Sequence, residues 1–228
     1  DIDSSYEQCE VDISGGAEVS AVSKGELFSA IKIVKKFGSS QLEQTAVLRE
    51  NSKQVDFYTN VDWNERHRLL KVYFETDIHS GRLLSETQFG YVERPTMRNN
   101  AYEQDMFEAC QHKWSALFEN GRGFAILNDC KYGISAEGGA MGLTLLKAPC
   151  APDICADRGR HSFVYSVLPT GSVVQAVRAA YELNSSPTVI NGAADFASPF
   201  EIDADNVIID TIKQAEDGSG DIIIRMYE

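Results

Sequence analysis

The sequence predicts an all-β, mainly antiparallel fold with one clear helix, and three observations lead to this prediction. Apolar and polar residues alternate with a period of two in successive stretches, as they do in half-buried strands. These stretches recur about every dozen residues, a rhythm typical of a sandwich or barrel rather than of βαβ units. Only Ser172–Leu183 carries apolar residues at the i, i+3 and i+4 spacing of an amphipathic helix.

The sequence of the first third of the chain predicts four successive strands. Residues 1–25 are polar, small and acidic, and they predict weak strands or loose turns at most. Asp62–Arg68 predicts a polar loop around Trp63, between the third strand and the fourth. The four strands, all with period-two alternation, are Leu27–Val34, Leu42–Arg49, Val55–Val61 and Leu70–Thr76.

The middle of the chain combines a loop, an ambiguous segment and a strand. The proline within Glu93–Asn100 predicts a loop that is extended at Arg94. Met106–Leu117 fits a helical stripe as well as a strand, and periodicity does not decide between them. Phe124–Leu127 is bounded by glycines and by Asn-Asp, so it predicts a buried strand that leads into a tight turn.

The last third predicts four more strands around the helix. A loop with two prolines, Ala148–His161, separates the first two of them, and Asn184–Ala204 is irregular. A hairpin loop at Asp217–Gly220 joins the last two. The four strands are Leu143–Leu146, Phe163–Val167, Val207–Ile212 and Asp221–Tyr227.

Composition and charge narrow the class of protein. The chain has 228 residues, a net charge of −13 and 43% hydrophobic residues, as in an ordinary globular domain. The acidic charge argues against nucleic acid and against anionic membranes as partners. No apolar run approaches the roughly 20 residues of a membrane span, and no secretory signal opens the chain. The five cysteines are odd in number and irregularly spaced, which predicts free thiols and a cytoplasmic location.

Several carboxylates and possible metal ligands are candidates for a catalytic site or a metal site. A retaining glycosidase needs two carboxyl groups about 5–5.5 Å apart, and Asp129, Asp153 and Asp157 lie in predicted loops that could supply them. Acidic loop residues more often form turns, so no catalytic residue is assigned. Cys110 with His112, and Asp153 with Asp157, are closely spaced, but neither pair has a third ligand in register, so no metal site is assigned.

Other catalytic motifs are missing from the sequence. It contains no nucleophile elbow, no P-loop and no dinucleotide fingerprint. Cys130 lacks a nearby base, and burial beside a core strand is the favoured interpretation. Four aromatic residues could stack on sugar rings, although core positions are favoured for them. They are Trp63, Trp114, Tyr132 and Tyr165.

Seven segments, taken in order, resemble glycoside hydrolase family 38, the α-mannosidases, in the part that follows the catalytic domain. The resemblance covers roughly residues 20–228 and is strongest to the cytosolic and bacterial branch. The segments are KKFGSS (35–40), VDWNERHRLLKVYF (61–74), QFGYVERPTMRNN (88–100), FEACQHKW (107–114), GRGFAILNDCKYG (121–133), LTLLKAPCAPDICADRGRHSFVYSVLP (143–169) and IKQAEDGSGDIIIRMYE (212–228).

The resemblance implies a β-supersandwich with one or few short helices, in which residues 1–228 form one C-terminal β-domain truncated at both ends. It also implies a strand within Met106–Leu117. In this family the nucleophile, the acid/base residue and the zinc ligands belong to an N-terminal α/β barrel. The resemblance therefore places catalytic residues and zinc in that missing domain and no cofactor in this one. Met97 and Thr170 stand where the family commonly has histidine, so a role of either histidine would be lost here.

The resemblance implies partners as well. The domain would pack on its own N-terminal catalytic domain in a retaining exo-α-mannosidase, which acts on mannose-containing oligosaccharides, and would be inactive alone. One loop of a family β-domain reaches the rim of the sugar site, and Arg94–Asn100 and Lys147–His161 are the candidates. The alternative is a self-standing carbohydrate-binding or structural interaction module, which would need an exposed aromatic platform. The rim candidates are Arg94, Asn99, Lys147, Asp153 and Asp157.

Overall fold

The protein is a sandwich of antiparallel sheets, and a computed structural model describes residues 6–13, 15–193 and 197–228. Two helices and a 3₁₀ turn (Tyr6–Cys9) accompany the strands; the helices are α1 (Ala101–Asp105) and α2 (Val173–Asn184). The strands are β1 (Glu18–Lys24), β2 (Phe28–Phe37), β3 (Ser40–Arg49), β4 (Val55–Trp63), β5 (Arg68–Glu75), β6 (Arg82–Thr87), β7 (Gly90–Pro95), β8 (Glu108–Cys110), β9 (Trp114–Glu119), β10 (Arg122–Asn128), β11 (Gly133–Glu137), β12 (Ala140–Ala148), β13 (Gly159–Thr170), β14 (Ile208–Gln214) and β15 (Ile222–Tyr227).

The strands form three sheets, and every pairing between them is antiparallel. The large sheet has nine strands in the order β1-β2-β3-β4-β13-β10-β9-β6-β7, and the small sheet has four in the order β5-β12-β11-β8. The hairpin β14–β15 forms the third sheet. The prediction of an all-β, mainly antiparallel fold is therefore confirmed.

The main core lies between the large and the small sheet. Val61, Trp63 and Ile126 from the large sheet pack with Ile134 and Met141 from the small sheet, all of them buried. Alternation explains this layer, because every second side chain of a strand points to the same face. Strands β10 and β12 are largely apolar, and most of their residues are buried.

A second core lies on the opposite face of the large sheet, beneath helix α2. Ala176 and Ala180 of the helix are fully buried against Trp114 and Leu127 of β9 and β10. Ser172 caps the helix by accepting a hydrogen bond from the Gln175 backbone N–H at 3.3 Å. The predicted helix at Ser172–Leu183 is thus confirmed almost to the residue.

Three sequence expectations in the first two thirds of the chain were wrong in detail. Trp63 does not sit in a loop, because it ends β4 with a side chain only 1% exposed. Glu93–Pro95 belongs to β7, an edge strand, where a proline removes no ladder hydrogen bond. Helix α1 follows immediately, capped by Asn100, and was not predicted.

The ambiguous segment Met106–Leu117 contains two strands in two different sheets. Strand β8 belongs to the small sheet and β9 to the large one, with the fully buried Gln111 at the crossing between them. Because the chain changes sheet between β8 and β9, the alternation of inward-facing and outward-facing residues shifts there. A single period therefore does not describe the whole segment. The implied strand is confirmed, and the helical alternative was wrong.

Further along, the predicted loop Ala148–His161 ends earlier than expected. Strand β13 already begins at Gly159 and continues through Pro169 to Thr170. The short strands β6 and β11 were also missed. The closing hairpin was predicted correctly, and residues 1–5 lie outside the described part.

Candidate functional site

The first candidate rim segment, Arg94–Asn100, lies beside the turn between β11 and β12. The Gly138 backbone N–H donates to the Thr96 carbonyl oxygen at 3.3 Å, and Arg98 forms an ion pair with Glu137 at 3.4 Å. Arg94 donates from its guanidinium to the Cys110 carbonyl oxygen at 3.1 Å. The contacts of Thr96 and Arg98 place this part of the segment where β12 begins, whereas the Arg94 side chain reaches the far end of β8.

This segment borders a cavity of about 120 Å³ that is lined mainly by apolar side chains. Arg94 and Arg98 contribute the guanidinium groups of its wall, and the Arg98 guanidinium lies 5.2 Å from the centre of the Phe107 ring. Met97, where the family commonly has histidine, lines the same cavity. Arg98 was not among the five candidate residues, although it lies within the predicted segment Arg94–Asn100.

Asn99, also a candidate, is used locally. Its backbone N–H donates to Glu103 Oε2 at 2.7 Å, while the Asn100 side chain caps α1 by accepting from the Glu103 N–H at 3.0 Å. These two bonds form a reciprocal cap at the start of a short helix. The backbone of Asn99 is therefore held in place by α1.

The second candidate rim segment, Lys147–His161, lies where β12 ends and β13 begins. The Lys147 backbone N–H donates to Asp157 Oδ2 at 3.0 Å, and the Cys155 N–H donates to Asp153 Oδ1 at 2.8 Å. The His161 ring nitrogen Nε2 lies 2.7 Å from the Asp157 carbonyl oxygen. Asp157 takes a positive φ of 58°, a conformation that aspartate tolerates better than most residues.

The two segments lie at opposite ends of β12. Arg94–Asn100 contacts the turn before Ala140, whereas Lys147 is seven residues further along the same strand. At about 3.3 Å per residue, the length of strand between them is roughly 23 Å. The structure therefore separates the Thr96–Asn100 part of the first segment from Lys147 along the strand.

The three loop carboxylates weighed as a catalytic pair are each engaged by backbone groups. Asp129 Oδ2 accepts a hydrogen bond from the Val164 N–H at 3.0 Å, on strand β13. Asp153 and Asp157 accept from their own loop or its flank, as described above. The contacts of Asp153 and Asp157 stabilise their own loop, whereas the contact of Asp129 joins its turn to β13.

None of the five cysteines forms a disulfide bond, and all five are exposed. The expected burial of Cys130 was therefore wrong, because its side chain points away from the core after β10 ends. Partial burial, together with the neighbouring Asp129 carboxylate, raises the pKa of the Cys130 thiol to about 11. A thiol with that pKa is protonated near neutral pH and is a poor nucleophile.

Neither a metal cluster nor a membrane helix is found in the part of the chain that the structure describes. No three His, Cys, Asp or Glu side chains of these residues are grouped as a metal ion would require. Neither of the two helices within residues 6–13, 15–193 and 197–228 has the length and apolarity needed to cross a membrane.

The aromatic residues that could have formed a sugar platform are mostly in the core. Trp63, Trp114 and Tyr165 are at most 2% exposed, which confirms the favoured interpretation for them. Tyr132 is exposed and contacts the His112 ring edge-on, with 5.8 Å between ring centres. These four residues therefore form no shared platform.

An ion pair on the outer face of the small sheet was not predicted. Lys71 Nζ lies 2.6 Å from Glu108 Oε2, and the Lys71 side chain is only 4% exposed. Thr144 donates its hydroxyl to the other Glu108 oxygen at 2.6 Å. The partners are 37 and 36 residues apart in sequence, so alternation alone gave no signal for this contact.

Comparison with known proteins gives consistent results for sequence and fold. Residues 1–154 match the family model "Glycosyl hydrolases family 38 C-terminal domain". The chain is 42% identical over 201 residues to "Alpha-mannosidase G" of Dictyostelium discoideum, which covers 84% of this chain and 18% of that protein. It is 40% identical over 199 residues to "Alpha-mannosidase 2C1" of Homo sapiens, which covers 83% of this chain and 19% of that protein.

Solved structures show the same fold. The crystal structure of an alpha-mannosidase from Enterococcus faecalis V583 matches with a TM-score of 0.76 and 14% sequence identity, over 92% of this chain and 29% of that one. At this identity the likeness concerns the fold alone. The chain thus spans only 18% to 19% of the length of the two curated relatives named above.

Proposed function

The chain belongs to the family of C-terminal domains of family 38 glycosyl hydrolases, and we propose that it forms the C-terminal β-domain of a retaining exo-α-mannosidase. The substrate would be an oligosaccharide that ends in α-mannosyl residues. The observation that carries this proposal is the identity of 42% and 40%, over more than four fifths of the chain, to two proteins named alpha-mannosidase.

In this proposal the domain is a support for chemistry that takes place elsewhere. An N-terminal catalytic domain of the longer protein would supply the carboxyl pair and bind zinc. The described residues offer no cluster of side chains that fits a zinc ion. Five cysteines that form no disulfide bond support a reducing, cytoplasmic location for the protein.

The domain would also form one wall of the sugar site. Ordered donors and acceptors beside a bound sugar favour one geometry and so accelerate its reaction. Only one end of the small sheet can face the terminal sugar, because β12 separates the two candidate segments. Either Arg94 and Asn99, or Lys147, Asp153 and Asp157, would contact substrate, but not both sets.

The two sets can be separated by kinetics on the full-length protein. We expect Arg94→Ala with Asn99→Ala, or else Asp153→Ala with Lys147→Ala, to lower kcat/KM for an α-mannoside by about tenfold, the loss of one or two hydrogen bonds to substrate. The other pair should leave kcat/KM within about twofold and serves as the matched control. Equal losses from both pairs, or no loss from either, would contradict a rim role at one end.

The main test is an aryl α-mannoside assay with metal analysis. The full-length protein should hydrolyse the substrate, whereas the 228-residue chain should show no turnover and no stoichiometric zinc, with or without added zinc. A full-length protein that is inactive on α-mannosides, or turnover by the 228-residue chain that survives purification, would overturn the proposal.

A further inference from the structure

The closing hairpin β14–β15 is attached to the rest of the domain by one of its two faces. Ile208 of β14 packs against the second core, beside helix α2. Tyr227 of β15 donates its hydroxyl to the Tyr181 hydroxyl of that helix at 3.3 Å. The Tyr227 ring also meets Phe89 edge-on, with 5.9 Å between ring centres. Within the described residues, β14 and β15 pair only with each other, so these side-chain contacts hold the hairpin in place.

The register of the hairpin determines which side chains occupy its other face. Tyr227 pairs with Ile208, so both belong to the attached face. Their neighbours Met226 and Ile209 also pair, and they point to the opposite side. A bulge at Asp210 keeps the two strands in phase beyond this point. We call the opposite side the outer hairpin face, and it comprises Ile209, Ile212, Gln214, Ile222, Ile224 and Met226.

The outer hairpin face is apolar although it points away from the domain. Five of its six side chains are apolar, and Ile212, Ile222 and Met226 are 47%, 57% and 55% exposed. The attached face, in contrast, carries the charged residues Lys213 and Arg225. A sheet with one face in water normally directs its polar side chains to that face, and this hairpin does the reverse. Such a pattern is typical of a sheet that is covered on both sides.

The size of the outer hairpin face limits what can cover it. Each strand is about 20 Å long and the two strands lie about 4.8 Å apart, so the face offers on the order of 200 Å². Stable complexes of separate proteins bury about 800 Å² on each partner, so this face is too small to hold a free partner or a second copy by itself. A tethered segment needs less area, because its effective concentration is high. The curated relatives are about five times as long as this chain, so the rest of such a protein can supply the segment.

We propose that a segment of the longer protein, outside these 228 residues, packs its own apolar side chains on the outer hairpin face. This interface rests on the proposed function, since it requires the chain to be one section of a longer polypeptide. Ile212, Ile224 and Met226 would then be buried between two layers, and a segment that is itself a sheet would lie about 10 Å away. The hairpin would be stabilised by such a cover, because a two-stranded sheet is marginally stable without further packing.

Met226 is a natural probe of this interface. Hydrogen peroxide oxidises exposed methionines to the sulfoxide, and peptide mass spectrometry measures the rate for each one. Met141 is fully buried in the main core and gives the slow reference. In the 228-residue chain, Met226 should oxidise at least about tenfold faster than Met141. In the full-length protein, Met226 should oxidise about tenfold more slowly than it does in the 228-residue chain. Equal Met226 rates in the two proteins would overturn the inference.

Two neighbouring isoleucines of β15 supply a variant and its matched control. Ile222 lies on the outer hairpin face and Ile223 on the attached face, and they are 57% and 44% exposed. In the 228-residue chain, lysine at either position should leave the melting temperature within about 3 °C of wild type and the hydrogen exchange of Ile208–Gln214 unchanged, because both positions are solvated. In the full-length protein, Ile222→Lys should restore fast oxidation of Met226, and Ile223→Lys should not. Equal effects of the two variants would contradict the interface.

Further outcomes separate this inference from its premise and from a rival occupant. Full-length protein that hydrolyses α-mannosides but leaves Met226 unprotected would overturn the interface and leave the proposed function intact. Protection of Met226 in a full-length protein without mannosidase activity would support the interface and overturn the proposed function. If light scattering shows a dimer of the 228-residue chain that Ile222→Lys dissociates, a second copy is the occupant and the inference is wrong.

Discussion

At the scale of single residues, two glycines near the same end of the sandwich differ in the space around them. A Cβ atom on Gly139 would lie 2.5 Å from the Thr76 carbonyl oxygen and 3.0 Å from that of Ile78. A Cβ atom on Gly81 would meet nothing within 4 Å. Backbone atoms cannot move aside as a flexible side chain can, so only Gly139 requires glycine for lack of room.

Gly139→Ala should therefore lower the free energy of unfolding by about 2 kcal/mol or more, the usual effect of forcing a methyl group into a packed site. Gly81→Ala should change it by no more than about 0.5 kcal/mol, as for an open surface position. Urea denaturation of the two variants beside wild type measures both values. Equal destabilisation by the two alanines would show that the close approach at Gly139 is relieved by backbone movement.

The same residues show what sequence could predict at this scale. Glycines mark turns, so the run Glu137–Gly139 predicts a turn from the sequence alone. The contact that makes glycine necessary at position 139 is with Thr76, 63 residues away in the sequence. A short-range sequence pattern cannot predict such a contact. Trp63 was misplaced for the related reason that polar neighbours on both sides hid the end of an alternating strand.

At the scale of elements, the Asp210 carboxylate is one of the groups that attach the closing hairpin to helix α2, beside the hydrogen bond from Tyr227 to Tyr181. Asp210 of β14 accepts hydrogen bonds from Tyr181 of the helix at 3.1 Å and from Arg225 of β15 at 2.6 Å. Burial acts to raise the pKa of Asp210, but hydrogen bonds from Thr211, Arg225 and Tyr181 outweigh it, and the net pKa is lowered. The ionised carboxylate is thus the form that the folded state prefers.

The sign of the pH dependence follows from this lowered pKa. Between the lowered pKa in the folded state and the ordinary value of about 3.9 in the unfolded state, the unfolded chain binds more protons, so stability rises with pH. The stabilisation from Asp210 is complete above the ordinary value. It is lost as pH falls through the lowered one.

We therefore expect Asp210→Asn to be less stable than wild type at pH 6, and the difference to shrink as pH falls below about 4. Thermal unfolding at several pH values gives the comparison. Asp205→Asn is the control. The Asp205 side chain is 99% exposed, and its ion pair with Arg178, at 3.5 Å, lies on the surface and contributes little to stability. A difference between wild type and Asp210→Asn that is constant from pH 6 to pH 3 would contradict the assigned role.

Helices and strands could be predicted where a single hydrophobic period continues through the whole element. Helix α2 was recognised because Val173, Val177 and Ala180 follow helical spacing and Ser172 can cap it. Met106–Leu117 was undecided because its two strands belong to different sheets. The sequence predicts a loop at Glu93–Pro95 because proline usually argues against a strand, and only the position of β7 at the edge of the sheet makes Pro95 acceptable.

At the scale of the whole molecule, the sequence predicts where most strands lie along the chain, but it does not predict which strands pair in the sheets. The pairing of β5 with β12 joins residues about 70 positions apart, such as Val72 with Leu143, and no local pattern specifies it. The candidate site was limited in the same way. Both rim segments were found as loops, but their placement at opposite ends of β12 appears only when the sheet is assembled.

The boundary of the folded unit also becomes visible only at this scale. The family match ends at residue 154, inside the loop between β12 and β13. Strand β13 lies between β4 and β10, in the middle of the large sheet. Its side chains Phe163 and Tyr165 are each 2% exposed and belong to the main core. The residues after 154 are therefore integral to the sandwich.

A chain cut after residue 154 should consequently fail to fold. It would lose the hydrogen bonds that β13 makes with β4 and β10. It would also lose the burial of Phe163 and Tyr165, which stabilises the fold by about 1.5–3 kcal/mol for each large side chain. Those losses are comparable with the whole stability of a domain, about 5–15 kcal/mol. A chain cut after residue 205 is the control, because it lacks only the β14–β15 hairpin and keeps both main sheets and α2. Circular dichroism with thermal melting should show a cooperative transition for residues 1–205 and none for residues 1–154. A cooperative transition in residues 1–154 would mean that β4 and β10 can close on each other without β13, and the unit of folding would then be the shorter one.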